Sequence, residues 1–154
     1  MSLFLFTIQY KYLSEIKMKI TSGNHYLAFV LDESSRMAII DAHPPRHQVT
    51  VCHHVTIQYN ITEETVERLQ TLVDSSPKFT AVNLLESELI DLFIILVDGS
   101  WIETDQSRTH LTFSRTNSAK NRYSNLVIKD EIKSTGIQYI NNIELTGRFE
   151  LIKK

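Results

Sequence analysis

Two four-residue stretches with the same alternation constrain the fold of this chain more than any other feature. Residues 54–57 read HVTI and residues 110–113 read HLTF. Alternate residues of a β-strand project from the same face of a sheet. Each stretch therefore predicts a strand that places a histidine and a threonine on one face and buries two apolar side chains on the other.

The length and composition of the chain predict one ordinary folded domain. A chain of 154 residues with 42% hydrophobic and 22% charged residues is large enough and apolar enough for one self-sufficient core. We expect this domain to span residues 24–154, with residues 1–23 as an N-terminal extension or an added strand. The start of the chain lacks a basic lead and is interrupted at Gln9 and Lys11. It is therefore interpreted as neither a signal peptide nor a membrane span.

The hydrophobic pattern outside the two motifs predicts a mixed α+β architecture. Apolar runs rich in strand-forming residues predict four further strands, at residues 26–31, 79–85, 89–97 and 143–151. The strand that carries the first motif is expected to span residues 49–59. Apolar residues at helical spacing predict a helix that begins near Asn60 or Thr62 and ends before Pro77. Residues 35–40 fit either a strand or a short helix, and Asp98 with Gly99 predicts a hairpin turn.

The motif side chains suit the cleavage of a phosphodiester. If the two motif strands are neighbours, His54, His110, Thr56 and Thr112 line one groove. An imidazole, with an ordinary pKa of roughly 6.5, can act near neutral pH as an acid or as a base. One histidine can take a proton from the attacking oxygen while the other gives a proton to the departing oxygen, and the threonine hydroxyls can donate to the non-bridging oxygens. This chemistry requires neither a metal nor another cofactor.

Charge and cysteine content narrow the expected partners and location. A net charge of −2 provides no overall basic field for long duplex nucleic acid. Any anion must therefore be bound by a local cluster of cations, and we expect neither long duplex nucleic acid nor a membrane as a partner. Cys52 is the one cysteine of the chain, which excludes an intrachain disulfide and favours a reducing, cytoplasmic location.

Several residues outside the motifs are candidate substrate contacts by residue type and position. Arg115, Lys120 and Arg122 follow the second motif and could hold a terminal phosphate, and Arg115 is preferred because it is nearest to the motif. Four aromatic residues could stack on a nucleobase: Tyr26, Tyr59, Tyr123 and Trp101. The alternatives are a solvated basic loop for the cations and ordinary core packing for the aromatic residues.

A zinc site is the main alternative for the histidines before and within the first motif. His43, His47, Cys52 and His53 cluster in sequence, but their spacing matches no common structural zinc pattern. Strand alternation would send His53 and His54 to opposite faces and would place Cys52 on the face of His54. We therefore expect no metal site, and we interpret Cys52 as a small apolar residue.

The pair HVTI and HLTF, one in each half of the chain, resembles the 2H phosphoesterase superfamily. Its members carry two His-x-Thr/Ser-apolar motifs, and they include RNA 2′,3′-cyclic phosphodiesterases, RNA-repair domains and viral or phage enzymes that degrade nucleotide signals. The resemblance covers residues 24–152 and implies two antiparallel sheet lobes around a central groove, with helices outside. It further implies His54 and His110 as the catalytic pair, with Thr56 and Thr112 as phosphate binders.

The segment after the second motif resembles the substrate-side loop of the RNA-repair-like branch of this superfamily. The matching residues are Tyr123, Ser124 and Asn125. The resemblance implies Tyr123 and Ser124 as substrate contacts.

Three functions are compatible with this pattern. The first is a metal-independent phosphodiesterase that acts on a cyclic or terminal nucleotide phosphodiester, such as a 2′,3′-cyclic phosphate or a cyclic oligonucleotide. The second is a module that binds a nucleotide or RNA end in the same groove without turnover. The third is a structural protein in which the motifs are coincidental, and a large distance between His54 and His110 would favour it.

Overall fold

The structure is a computed structural model that describes residues 16–19 and 23–154. The segment predicted as an extension or added strand, residues 1–23, lies mostly outside the described residues. Among the residues described, no helix has both the length and the apolar character needed to cross a membrane.

The described residues form an α+β fold of eight strands and three helices, which confirms the predicted class. In chain order the elements are β1 (His25–Leu31), α1 (Glu33–Ala42), β2 (Val49–Thr50), β3 (His54–Gln58), α2 (Glu63–Asp74), β4 (Phe79–Ser87), β5 (Ile90–Val97), β6 (His110–Arg115), α3 (Tyr123–Ile128), β7 (Ser134–Leu145) and β8 (Gly147–Lys153).

All of these strands join one antiparallel sheet. Its order is β7-β4-β5-β6-β3-β1-β8, and the short β2 pairs with β6 beside β3. The two outermost strands, β7 and β8, are separated in the chain by Thr146 alone. The sheet must therefore curl until its two edges approach each other.

Aromatic contacts across the curl confirm this shape. Phe29 on β1 stacks on Phe79 of β4, with 4.0 Å between the ring centroids. Phe149 of β8 packs edge-on against both rings. The inner face of the sheet therefore holds the main hydrophobic core, in which the apolar residues of both motifs are buried together with Leu69 and Val73 of α2.

A second, smaller core lies on the outer face of the sheet. Ile90, Leu92 and Ile94 of β5 pack there against Val127 of α3. Because Ile94 pairs with His110 across the ladder, α3 covers the sheet beside the second motif on the same face as the motif histidine.

Local hydrogen bonds explain where two helices begin. The Asp32 carboxylate accepts the N–H of Ser35 at 2.8 Å, so residues 35–40 belong to a capped helix rather than to a strand. The predicted second helix is confirmed: Thr62 precedes it, and the N–H of Thr62 donates to Oγ1 of Thr65. This helix ends at Asp74, before Pro77.

The prediction of one closing strand at residues 143–151 is wrong. Leu145 pairs with Phe79 at one edge of the sheet, whereas Gly147 pairs with Leu31 at the other edge. Apolar and polar residues do alternate on both sides of Thr146. At that residue, however, the chain leaves one edge of the sheet and joins the other edge. Gly147 permits this change, because a Cβ atom built there would overlap the carbonyl oxygen of Val30 and lie 3.0 Å from Cα of Leu31.

We therefore expect Gly147→Ala to lower the free energy of unfolding by about 1–3 kcal/mol, the usual cost of overpacking against atoms that cannot move aside. Gly136→Ala is the matched control, because the nearest atom to its added Cβ would be Glu86 Oε1 at 3.9 Å. The control should change stability by less than about 0.5 kcal/mol. Urea denaturation of the three proteins measures both effects, and equal stability of the two variants would contradict the packing argument.

Candidate functional site

The two motif strands lie side by side in the sheet. Val55 of β3 pairs with Leu111 of β6 in antiparallel register, and both side chains are fully buried in the main core. The residues on either side of this pair point to the outer face. His54, Thr56 and His110 consequently line one groove together with Thr112, and the groove has a volume of about 460 Å³.

Two different walls flank the motif residues. One wall comes from β1, β8 and the end of β3, and it consists of Tyr26, Tyr59, Lys153 and Lys154. The other wall comes from the start of α3 and the residues before it. Its members are Asn121, Arg122 and Asn125.

The side chains that line the groove make it suitable for an anion. The described residues that line it include two histidines, two lysines and one arginine, and none of the lining residues described is an aspartate or glutamate. A concave site with basic side chains and no carboxylate attracts negative charge.

His110 is held by a backbone acceptor. Its Nδ1 lies 2.7 Å from the carbonyl oxygen of Arg108. Because a carbonyl oxygen only accepts, Nδ1 carries the proton, and Nε2 has a free lone pair whenever the ring is neutral. Burial lowers the pKa of His110 and the charge of Arg108 lowers it further, although the bond to the Arg108 carbonyl acts in the opposite direction.

His54 has neighbours on both ring nitrogens. Nδ1 lies 2.9 Å from Nδ1 of His53, and Nε2 lies 3.4 Å from the hydroxyl of Tyr26. Burial, followed by the positive charges of His53 and His110, lowers the pKa of His54 to about 4. His54 and His110 line the same groove, so each imidazole lies within the electrostatic influence of the other.

The contact between His53 and His54 corrects the prediction that they face opposite sides of a strand. The predicted strand at residues 49–59 is interrupted: Thr50 pairs with Ser114, and Val55 pairs with Leu111. The four residues 51–54 therefore lie opposite only two residues of β6, 112 and 113. Cys52 takes up the extra length with a positive φ of 44°, so simple alternation does not apply before His54.

The same irregularity overturns the predicted placement of Cys52. Its side chain is fully buried in the main core, on the side of the sheet opposite to the groove. Burial raises the pKa of the thiol to about 11. Cys52 is thus a protonated, small core residue, which agrees with the chemical role expected for it.

The two threonines of the motifs have different surroundings. The hydroxyl of Thr112 lies 2.8 Å from the hydroxyl of Ser124, which α3 contributes and which is fully buried. Ser124 therefore contacts Thr112 from the buried side and is not among the residues that line the groove. Thr56 is half-buried and lies at the groove surface.

Three other predicted contacts lie outside the groove lining. The guanidinium of Arg115 donates to Asn121 Oδ1 and to the carbonyl oxygens of Thr116 and Ala119, so it fastens the loop before α3. Tyr123 packs against the smaller core. Trp101 is 48% exposed and carries the Arg108 guanidinium 3.9 Å from its ring centroid.

Two of the aromatic candidates, Tyr26 and Tyr59, line the groove, as do the basic candidate Arg122 and Asn125 of the substrate-side loop, whereas Lys120 is outside the lining. The sequence does not single out the remaining lining residues, which are Val51, Thr104, Gln106, Asn121, Lys153 and Lys154. No local pattern marks Lys153 or Lys154, because they reach the groove through the pairing of β8 with β1.

The histidines considered for a zinc site are dispersed. His47 lies 3.3 Å from the Asp91 carboxylate, to which Arg46 donates two hydrogen bonds. His43 packs edge-on against Phe93. Within the described part of the chain, no three His, Cys, Asp or Glu side chains are grouped so as to hold a metal ion.

Comparisons of the chain with protein-family models, with curated proteins and with solved structures find no match.

The lowered pKa values predict that acid destabilises the protein through the groove. Between pH 6.5 and about 4 the unfolded chain binds a proton at residue 54 that the folded protein does not. Stability is therefore lost as the pH falls through this range. At pH 5 the loss from His54 should reach about 2 kcal/mol.

His54→Gln should remove this loss. The free energy of unfolding of the variant, relative to that of the wild type, should be higher at pH 5 than at pH 7.5. The difference at pH 7.5 gives the packing effect of the substitution alone. Urea denaturation at both pH values provides the measurement. An identical difference at both would show that His54 titrates normally in the folded protein.

Proposed function

We propose that this protein is a metal-independent phosphodiesterase that cleaves a cyclic or terminal nucleotide phosphodiester by paired histidine acid–base catalysis. The observation that carries the proposal is the meeting of His54, His110, Thr56 and Thr112 in one basic groove. Imidazoles on two adjacent strands can lie on opposite sides of one phosphorus atom. The groove volume of about 460 Å³ is in the usual range for small-molecule sites.

The proposed reaction needs only two proton transfers. The neutral histidine takes a proton from a water molecule as its oxygen bonds to phosphorus. The charged histidine gives its proton to the ribose oxygen as the phosphorus–oxygen bond breaks. A phosphomonoester and a free hydroxyl result, and the two histidines have exchanged protonation states. Solvent then restores the starting forms.

A bound anionic substrate would favour the charged imidazole that the acid step requires. Burial keeps both imidazoles neutral near pH 7 in the free protein, because both pKa values lie below the ordinary value. A bound phosphate favours the charged form of a neighbouring imidazole. Substrate binding would therefore be accompanied by uptake of a proton, which produces one acid and one base from two neutral rings.

The sheet supports a two-lobed interpretation of the 2H phosphoesterase type. The strands β7-β4-β5-β6 form one half and β3-β1-β8 form the other. The halves meet along a short ladder whose paired residues are Val55 and Leu111. In this interpretation each half contributes one motif strand to the central groove, and α3 covers the outer face beside the second motif.

Replacement of either motif histidine should remove most of the activity. We expect His54→Ala and His110→Ala each to lower turnover of 2′,3′-cyclic nucleotides or cyclic dinucleotides by about 10²–10⁴-fold, the usual contribution of a general acid or base. Product formation is followed by mass spectrometry across a panel of these nucleotides and RNA ends. EDTA should leave the wild-type rate unchanged.

His43→Ala is the matched control, because this histidine lies outside the groove lining and contacts Phe93. It should retain wild-type turnover. Full activity in the double variant of His54 and His110 would refute the proposed reaction. Nucleotide binding that depends on these histidines, with no substrate consumed, would instead identify a non-catalytic binding module.

The pH dependence of kcat/KM follows from the direction of the two pKa shifts. The active free form carries one proton on the histidine pair, and this form is most populated between two pKa values that both lie below 6.5. kcat/KM should therefore peak on the acid side of pH 6.5 and fall about tenfold per pH unit well above it. The optimum of kcat should lie at higher pH, because bound phosphate raises both pKa values. An optimum of kcat/KM above pH 8 would contradict this assignment.

A further inference from the structure

The exposed imidazole of His53 contacts a histidine that lines the groove. The two Nδ1 atoms of His53 and His54 lie 2.9 Å apart, and the rings cross at 84° with their centroids separated by 5.1 Å. His53 is exposed, whereas His54 is half-buried. His53 itself does not line the groove. Its effect on a bound ligand must therefore pass through His54.

Two imidazole nitrogens at this distance share one proton. One of them must carry the hydrogen and the other must offer a lone pair. When His54 is charged, both of its nitrogens carry hydrogens, so Nδ1 of His53 has to be the acceptor. When His54 is neutral and serves as a base at Nε2, its proton is again on Nδ1, and His53 is again the acceptor. Both catalytic forms of His54 thus require the same direction of this hydrogen bond.

The second motif provides an internal parallel. Nδ1 of His110 donates to the carbonyl oxygen of Arg108 at 2.7 Å, which leaves Nε2 of His110 for the groove. His53 takes the corresponding position for His54, whose Nε2 lies beside the hydroxyl of Tyr26 in the groove wall. In each motif an acceptor outside the groove holds Nδ1.

We infer that His53 is a positioning residue: its neutral Nδ1 accepts the Nδ1–H of His54 and so keeps Nε2 of His54 free to exchange a proton in the groove. The kinetic consequence rests on the proposed phosphodiesterase function, whereas the position of the proton on His54 does not.

The backbone makes this contact possible. In a regular strand His53 would face away from His54. The positive φ of Cys52 and the two extra residues between β2 and β3 bring both rings to the same side. A residue with a side chain rarely adopts such a φ, and conformations of this kind persist where the surrounding structure holds them in place, often at functional sites.

The proton position can be measured directly. In ¹⁵N spectra of the histidine rings near pH 7.5, neutral His54 should carry its proton on Nδ1 in the wild type. His53→Asn should keep this tautomer, because the Asn side-chain oxygen can accept the same hydrogen bond. His53→Ala offers no acceptor, so a large fraction of His54 should move its proton to Nε2.

Turnover of a 2′,3′-cyclic nucleotide gives the second readout. His53→Ala should lower kcat by about 10–100-fold, the size of effect typical of residues that orient a metal-binding histidine, and should leave KM within about threefold. His53→Asn should restore kcat to within a few-fold of the wild type. The backbone carbonyl of His53, which accepts the N–H of Leu31 at 3.0 Å, is retained in both variants.

The two readouts separate the possible failures. A proton on Nε2 of His54 in the wild type, or an unchanged tautomer in His53→Ala, overturns the positioning role whatever the activity. The expected tautomers without any turnover refute the phosphodiesterase and support the positioning role. If the tautomers are as expected and the wild type is active, but His53→Ala has the same kcat as the wild type, the kinetic part of the inference is overturned.

Discussion

The site depends on the pairing of β3 with β6 at Val55 and Leu111. Both side chains are fully buried on the inner face of the sheet, and strand alternation then directs the neighbouring histidine and threonine of each motif to the outer face. A slip of one residue in either strand would move that histidine into the core and an apolar side chain into the groove. Burial of the apolar half of each motif therefore fixes the position of its polar half.

The same burial sets the chemistry of the groove. Protein around the two imidazoles lowers the pKa of both His54 and His110, because it removes water from their charged forms. A free groove of this kind is a poor proton donor near neutral pH. In the proposed reaction the basic walls attract a phosphate, and the bound phosphate favours the charged form of a neighbouring imidazole, which can then act as the acid. Ligand binding and activation of the site would be coupled in this way.

Local periodicity predicts many elements of the fold and the motif residues of the site. It does not predict features that depend on contacts between distant parts of the chain. The strands β1, β4 and β5, the helix α2 and the four motif side chains of the groove follow from patterns that span only a few residues. The change of edge at Thr146, the positive φ of Cys52 and the arrival of Lys153 and Lys154 at the groove depend on how distant strands meet. No local pattern records these features. Residue type alone marks Trp101 as a stacking candidate, and the structure places it outside the groove lining.

The two motifs have nearly the same sequence, yet the structure supports their histidines differently. His110 donates to a backbone carbonyl, an acceptor that cannot take up a proton at any pH of interest. His54 contacts the imidazole of His53, which accepts at Nδ1 only while it is neutral and which is exposed to solvent. The tautomer of His110 is therefore fixed by the fold, whereas that of His54 depends on a side chain. Of the two adjacent histidines, His54 lines the groove, and His53 determines which ring nitrogen His54 presents there.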